Sequence, residues 1–103
     1  MTAIAVVTTV GSKKEAGAMA RALVEAKLAA CAQISRIESV YAWKGRIEHG
    51  KEYRLLFKTT AEQYDAVERA IRGLHSYELP AIHAFAFERI SAPYAEWIEG
   101  STR

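Results

Sequence analysis

The segment VYAWKGRIEHGKEYRLLFKT, residues 40–59, decides the fold, because it contains a turn between two extended stretches. An alternating apolar pattern leads into it from Cys31, and YRLLFKT alternates again on the way out. Between them, KGRIEHGKE carries two glycines and is predicted to be the turn region. The segment therefore predicts an antiparallel hairpin, with Ser35 and Ser39 marking a bend or bulge in its first strand.

A strand and a helix precede this hairpin. Residues 3–9, AIAVVTT, are short, apolar and rich in β-branched side chains, which is typical of a buried strand. Ser12, with Glu15 three residues later, has the capping-box spacing that begins a helix. Apolar residues at helical spacing continue to about Leu28, so the pattern predicts a first helix over this stretch.

A second helix and a fourth strand follow the hairpin. Four apolar side chains recur at steps of three and four positions, the spacing of a buried helical stripe. The stripe comprises Tyr64, Val67, Ile71 and Leu74. AIHAFAFERI, residues 81–90, then has the alternation of a strand, and a short C-terminal helix comes last.

This order of elements predicts an α+β fold, a ferredoxin-like βαββαβ antiparallel sheet with a short C-terminal helix, in one domain of residues 1–103. Two helices can cover only one face of such a sheet. Large apolar side chains nevertheless point to both faces: Leu56 alternates with Leu55 and Phe57. Exposed apolar faces and free strand edges are usually covered by association, so the pattern predicts an oligomer.

Composition narrows the class of protein. The net charge of +2 comes from interspersed lysine, arginine and carboxylate side chains, which argues against nucleic acid or an anionic membrane as a partner. A lone cysteine cannot form an internal disulfide, and no apolar run approaches the roughly 20 residues of a membrane span. The expectation is a soluble cytoplasmic protein.

The connection LHSYELPAI, residues 74–82, carries the side chains with the strongest claim to a ligand. The His75 imidazole and the Glu78 carboxylate are candidate metal ligands, and imidazole suits copper and zinc. The alternative is a polar turn that ends one helix ahead of Pro80. Both interpretations stay open at this point.

Other candidates are more dispersed. Cys31 is either a small buried side chain or a soft ligand for copper. The hairpin tip carries Tyr41, Trp43, Lys44 and Glu48, where aromatic side chains favour an interface over base stacking. No nucleophile elbow and no glycine-rich phosphate loop occurs, so neither an enzymatic reaction nor an organic cofactor is predicted.

Several blocks together resemble the CutA-type divalent-cation tolerance family. The blocks are LAACAQI, ESVYAWKGRIE, YRLLFKTT, HSYELPAI and YAEWI, in the family's order. The resemblance implies a ferredoxin-like subunit related in architecture to the PII signalling proteins, a homotrimer, and tolerance of copper and other divalent ions without an established reaction.

The resemblance also carries site residues onto this chain. The family's HPYE-P segment corresponds to His75, Tyr77 and Glu78, with Ser76 in place of the usual proline. The Y-WKG-IE segment corresponds to the hairpin-tip residues named above, and Cys31 corresponds to the cysteine of LAAC. Some copper-binding members carry a further cysteine and a further histidine. Here those positions are Thr8 and Leu74.

Two functions follow from these observations. The first is a homotrimeric cation-tolerance protein that binds divalent metal weakly through His75, Glu78 and Cys31. The second is a PII-like regulatory module whose clefts between subunits take a small anionic ligand or a partner protein. Its candidate contacts would include Lys44, Lys58 and Tyr77.

Overall fold

The chain folds in the predicted order of elements. The computed structural model describes residues 2–102. Its elements are β1 (Ala3–Val10), α1 (Lys13–Glu25), β2 (Cys31–Trp43), β3 (Arg46–Thr60), α2 (Tyr64–Leu74), β4 (His83–Ala86) and α3 (Ala92–Ser101), with one 3₁₀ turn, Ala61–Gln63, before α2. The strands of the described chain form one antiparallel sheet in the order β2-β3-β1-β4. The ferredoxin-like α+β fold is thereby confirmed.

The hairpin is longer and more regular than its sequence indicates. One register runs without interruption from Cys31 opposite Lys58 to Trp43 opposite Arg46. The predicted bend at Ser35 and Ser39 is therefore wrong, because both serines lie within this continuous register. The predicted nine-residue turn region is also too long, since every residue from 46 to 52 pairs with β2.

The turn itself consists of two residues, Lys44 and Gly45. Both have positive φ, at 50° and 78°, as in the two-residue hairpin turns whose twist matches that of the flanking strands. Glycine adopts this conformation without strain, but lysine does so rarely. Lys44 therefore occupies a position where asparagine or glycine would be the ordinary choice.

The core lies between one face of the sheet and the helices α1 and α2. Val6 and Phe57 contribute from the sheet, Leu23 and Ile71 from the helices, and all are almost fully buried. Leu74 is the exception to the predicted stripe, because it is half-exposed at the last residue of α2. The next side chain, His75, is buried instead.

The opposite face of the sheet is covered only in part. The short helix α3 contacts β1 and β3, where Ile98 is buried and the Lys58 ammonium donates to the Tyr94 hydroxyl at 3.0 Å. The strand β4 is shorter than predicted, because pairing with β1 ends at Ala86 before the chain turns towards α3. Between residues 2 and 102, no helix is long and apolar enough to cross a membrane.

Candidate functional site

The loop from residue 75 to residue 82 is fastened to several separate parts of the fold. Four successive side chains each contact a different element: the end of β1, the beginning of α1, the strand β3, and the tip of the hairpin. These side chains belong to His75, Ser76, Tyr77 and Glu78. The first four residues of this loop are therefore each held by a side-chain contact.

His75 is the buried member of this loop, with its side chain only 1% exposed. The Nε2 atom lies 2.8 Å from the Thr9 carbonyl oxygen and 3.2 Å from the Thr8 hydroxyl. The Nδ1 atom accepts a hydrogen bond from the Tyr77 backbone N–H at 3.1 Å. The imidazole thus joins the end of β1 to the start of the loop.

These partners determine the tautomer of His75. A carbonyl oxygen can only accept, so Nε2 must carry the proton that it donates to Thr9. A backbone N–H can only donate, so Nδ1 must offer its lone pair to Tyr77. A metal ion needs that same lone pair. In this arrangement the His75 imidazole has no free donor atom for a metal.

Glu15 holds the loop from the side of α1. The Ser12 hydroxyl accepts the Glu15 backbone N–H at 3.1 Å, as the capping spacing predicts. The Glu15 carboxylate, however, accepts from the Ser76 backbone N–H at 3.1 Å and from the Ser76 hydroxyl at 3.0 Å. The acidic residue of the capping pattern therefore orders the loop as well as standing in the first turn of the helix.

Tyr77 reaches across the loop to the sheet. Its hydroxyl donates to the Glu52 carboxylate at 2.6 Å, a short bond of the kind formed between a hydroxyl and a carboxylate. The ring packs against Gly11, where an added Cβ atom would lie 3.4 Å from the Tyr77 oxygen, at the near limit of ordinary van der Waals contact. Burial raises the pKa of the Tyr77 phenol far above its ordinary value of 10.0, and the hydrogen bond to Glu52 raises that pKa further.

This raised pKa predicts a loss of stability at alkaline pH. The unfolded chain releases the phenolic proton near pH 10, whereas the folded chain retains it, so the contribution of Tyr77 is complete below about pH 10 and declines above it. We expect urea denaturation between about pH 9 and pH 11.5 to give a steeper loss for the wild type than for Tyr77→Phe. Tyr41→Phe, which keeps the Tyr77–Glu52 bond, should retain the wild-type slope. Equal slopes for wild type and Tyr77→Phe would contradict the prediction.

Glu78 and Lys44 join the loop to the hairpin tip. The Lys44 ammonium lies 3.4 Å from the Glu78 carboxylate and 5.6 Å from the centre of the Trp43 ring. Both charged side chains are about 70% exposed, at 68% and 71%. An ion pair this exposed contributes little to stability and exchanges readily with other ions.

Together the loop and the hairpin enclose a groove of about 820 Å³, which we call the hairpin groove. Its chemical character comes from three aromatic rings and three carboxylates. These are Tyr41, Trp43 and Tyr77, with Glu38, Glu52 and Glu78. Two of the carboxylates carry contacts that leave oxygen atoms at the surface: Glu38 meets the His49 imidazole at 3.2 Å, and Glu78 meets Lys44. The groove is acidic and aromatic.

The predicted site residues fall into two separate regions. Tyr41, Trp43, Tyr77 and Glu78 all line the hairpin groove, while Glu48 lies opposite Tyr41 on β3 and does not line it. Cys31 stands at the other end of β2, roughly 40 Å of strand from Trp43 at about 3.3 Å per residue.

Lys58 faces Cys31 across the hairpin and is held by the Tyr94 hydroxyl. One subunit therefore does not bring Cys31 or Lys58 to the loop.

The donor set of one subunit does not fit a resident metal ion. Among residues 2–102, no group of three or more histidine, cysteine, aspartate or glutamate side chains is arranged to hold one. The His75 nitrogens are both engaged, and Cys31 is remote from Glu78. Any divalent ion that this chain contacts is therefore an exchangeable ligand and not a resident cofactor.

Several residues of this region were not singled out from the sequence. Glu38 and Thr9 lie within predicted strands, and Glu52 lies at the end of the predicted turn region. Glu15 was assigned only to a helix cap. The register of the structure places Glu52 across from Ile37, two positions from the groove-lining Ser39, but the predicted nine-residue turn does not give that register. No local pattern points to Thr9, because its role depends on the position of the His75 side chain in the folded chain.

Comparison with known proteins places the chain in a family. The family model described as CutA1 divalent ion tolerance protein matches residues 4–101. The divalent-cation tolerance protein CutA of Thermococcus kodakarensis is 35% identical over 98 residues, which is 95% of this chain and 94% of that protein.

Solved structures agree with this result. The periplasmic divalent cation tolerance protein CutA of Archaeoglobus fulgidus superposes with a TM-score of 0.96 at 34% identity, covering 98% of this chain and 99% of that one. CutA of Synechococcus elongatus gives a TM-score of 0.95 at 37% identity, covering 99% and 91% respectively. With a family model that spans nearly every residue and relatives of matching length, the chain belongs to the CutA1 divalent ion tolerance protein family.

Proposed function

We propose that this protein contributes to divalent-cation tolerance as a homotrimer and that copper, zinc or related ions bind weakly and exchangeably at the carboxylates of the hairpin groove. Family membership supports the role in tolerance. One observation favours the carboxylates over the imidazole as ligands. The lone pair of His75 accepts a hydrogen bond, whereas the side chain of Glu78 is 71% exposed. Carboxylate oxygens can bind Cu²⁺ and Zn²⁺, but these ions favour imidazole and thiolate ligands, so a site made of exposed carboxylates alone has a low affinity for them.

The proposed trimer rests on the edges and faces of the sheet. The outer edges of β2 and β4 lie at opposite ends of the sheet and are unpaired within residues 2–102. Two different free edges on one subunit suit a head-to-tail ring, which closes on itself when the rotation allows it. The exposed apolar residues of the hairpin, Val40 and Ile47, would be covered in such a ring.

Calorimetric titration of the assembled protein with Cu²⁺ and Zn²⁺ tests the proposed ion contact. We expect Glu78→Gln to weaken ion binding roughly tenfold, because a charged ligand atom is replaced by a neutral one of the same shape. Cys31→Ala, remote from the groove, should leave the affinity unchanged. If His75→Asn abolished ion binding while Glu78→Gln had no effect, the ion would bind through the imidazole after the loop opens.

The alternative of a small anionic ligand in a cleft has less support. Lys58 is held by Tyr94 away from the loop, and Lys44 is already paired with Glu78. The groove that remains is acidic, and an acidic wall repels an anion. A nucleotide titration that gave heat when the metal titration gave none would favour this second function. The cytoplasmic location stays a prediction, since the Archaeoglobus relative is named periplasmic.

A further inference from the structure

The hairpin groove combines two features that recognise an organic cation. Its aromatic rings offer π faces, on which an ammonium group is attracted by the ring quadrupole. Its carboxylates offer the opposite charge. An inorganic divalent ion uses only the carboxylates, because its tightly held hydration keeps it from the rings. The aromatic part of the groove therefore has no role in metal binding alone.

One ammonium group of the chain itself, that of Lys44, already lies beside two residues that line the groove, Trp43 and Glu78. The Lys44 Nζ atom lies 3.4 Å from the Glu78 carboxylate and 5.6 Å from the centre of the Trp43 ring. This is the arrangement in which a free amine would be held. Because Lys44 is 68% exposed, its hold is weak enough for an external ammonium group to displace it.

The backbone of Lys44 shows that the turn does not favour this residue. Its φ of 50° is a conformation in which asparagine and glycine are common and lysine is rare. Residues in sparsely populated backbone regions cluster at functional sites, so the choice of lysine at this position points to a use for its side chain. The side chain here supplies the cation that faces Trp43 and Glu78.

We propose that the hairpin groove binds a small aliphatic amine or diamine, whose ammonium group replaces Lys44 between Trp43 and Glu78 and whose hydrocarbon part packs on Tyr41 and Tyr77. The volume of about 820 Å³ is that of a small-molecule site. Three glutamates and no lysine line the groove, and this negative charge favours a cation. This activity goes beyond ion tolerance, although the two share Glu78.

Titration calorimetry with 1,4-diaminobutane, on the protein in its native assembly, tests this proposal. Lys44→Asn removes the internal competitor and keeps a residue that the turn accepts, so it should bind the diamine roughly fivefold more tightly. Lys44→Arg keeps a cation in place and is the matched control, with an affinity close to that of the wild type. Trp43→Leu should weaken diamine binding roughly fivefold or more.

Parallel titrations with Zn²⁺ separate this proposal from the proposed ion contact. Trp43→Leu should weaken diamine binding and leave Zn²⁺ binding unchanged, whereas Glu78→Gln should weaken both. If Trp43→Leu does not fold, Trp43→Phe, which keeps a weaker ring, should give an intermediate affinity. The proposal is overturned if the native protein binds no diamine, as when a neighbouring copy fills the groove, or if Lys44→Asn and Trp43→Leu both bind it like the wild type.

Discussion

Replacing His75 with alanine is expected to lower the free energy of unfolding by about 2–4 kcal/mol. The side chain is 1% exposed, and its removal leaves the Thr9 carbonyl and the Tyr77 N–H without their partners. A buried polar group left unpaired costs about 1–3 kcal/mol, and this cost applies to the Thr9 carbonyl and the Thr8 hydroxyl, whereas the exposed Tyr77 N–H can bond to water. Guanidinium denaturation at fixed protein concentration measures the change, since the stability of an oligomer depends on concentration.

Two conservative variants divide the effect of His75 into its parts. His75→Gln can place an amide N–H near the Thr9 carbonyl, and His75→Asn can place an amide oxygen near the Tyr77 N–H. Each should recover part of the lost stability. His49→Ala, which removes an exposed imidazole paired with Glu38, is the matched control and should change stability by under about 1 kcal/mol. A His75→Ala protein as stable as this control would show that the loop is held without the imidazole.

Introducing charge at Val40 and Ile47 together is expected to separate the subunits. These side chains are 70% and 75% exposed in the single chain, so glutamate at both positions costs the isolated fold little. In the proposed ring the same positions are covered, and the six buried charges of a trimer, two from each copy, would oppose association. Light scattering after size exclusion should give about one third of the wild-type mass for the double variant.

Val24→Glu is the matched control for this experiment. Val24 is also an exposed apolar residue, at 39%, but it lies on α1 rather than on the hairpin. Its substitution should leave the mass unchanged. Retention of the full mass by the double hairpin variant, or a monomeric wild type in dilute solution, would contradict the assembly and remove the reason for clefts between subunits.

Local pattern predicted most of the fold. The alternation in YRLLFKT and the helical spacing of Val67 and Ile71 indicated which side chains would face the core, and these residues are buried as expected. The capping position of Ser12 was also confirmed. Such patterns are informative because buried side chains recur every two residues in a strand that has one buried face and every 3.6 residues in a helix.

The wrong predictions concern the lengths of elements, which the apolar pattern does not specify. Polar residues and Gly50 suggested a long turn, and two serines suggested a bulge, yet the whole region pairs. Leu74 fits the helical spacing but lies half-exposed. Strand pairing satisfies backbone groups whatever the side chains are, so a hairpin can extend beyond the part whose apolar pattern reveals it.

The sequence by itself determined the order of elements, the core-facing side chains and, through its blocks of residues, the family. Only the tertiary structure decided what the loop side chains do. The Thr9 carbonyl that accepts a hydrogen bond from His75 lies 66 positions earlier in the chain. The Glu52 carboxylate that accepts a hydrogen bond from Tyr77 lies 25 positions before that tyrosine. Hydrogen bonds depend on atoms meeting within about 3 Å, and such meetings between distant residues arise only once the strands and helices have packed.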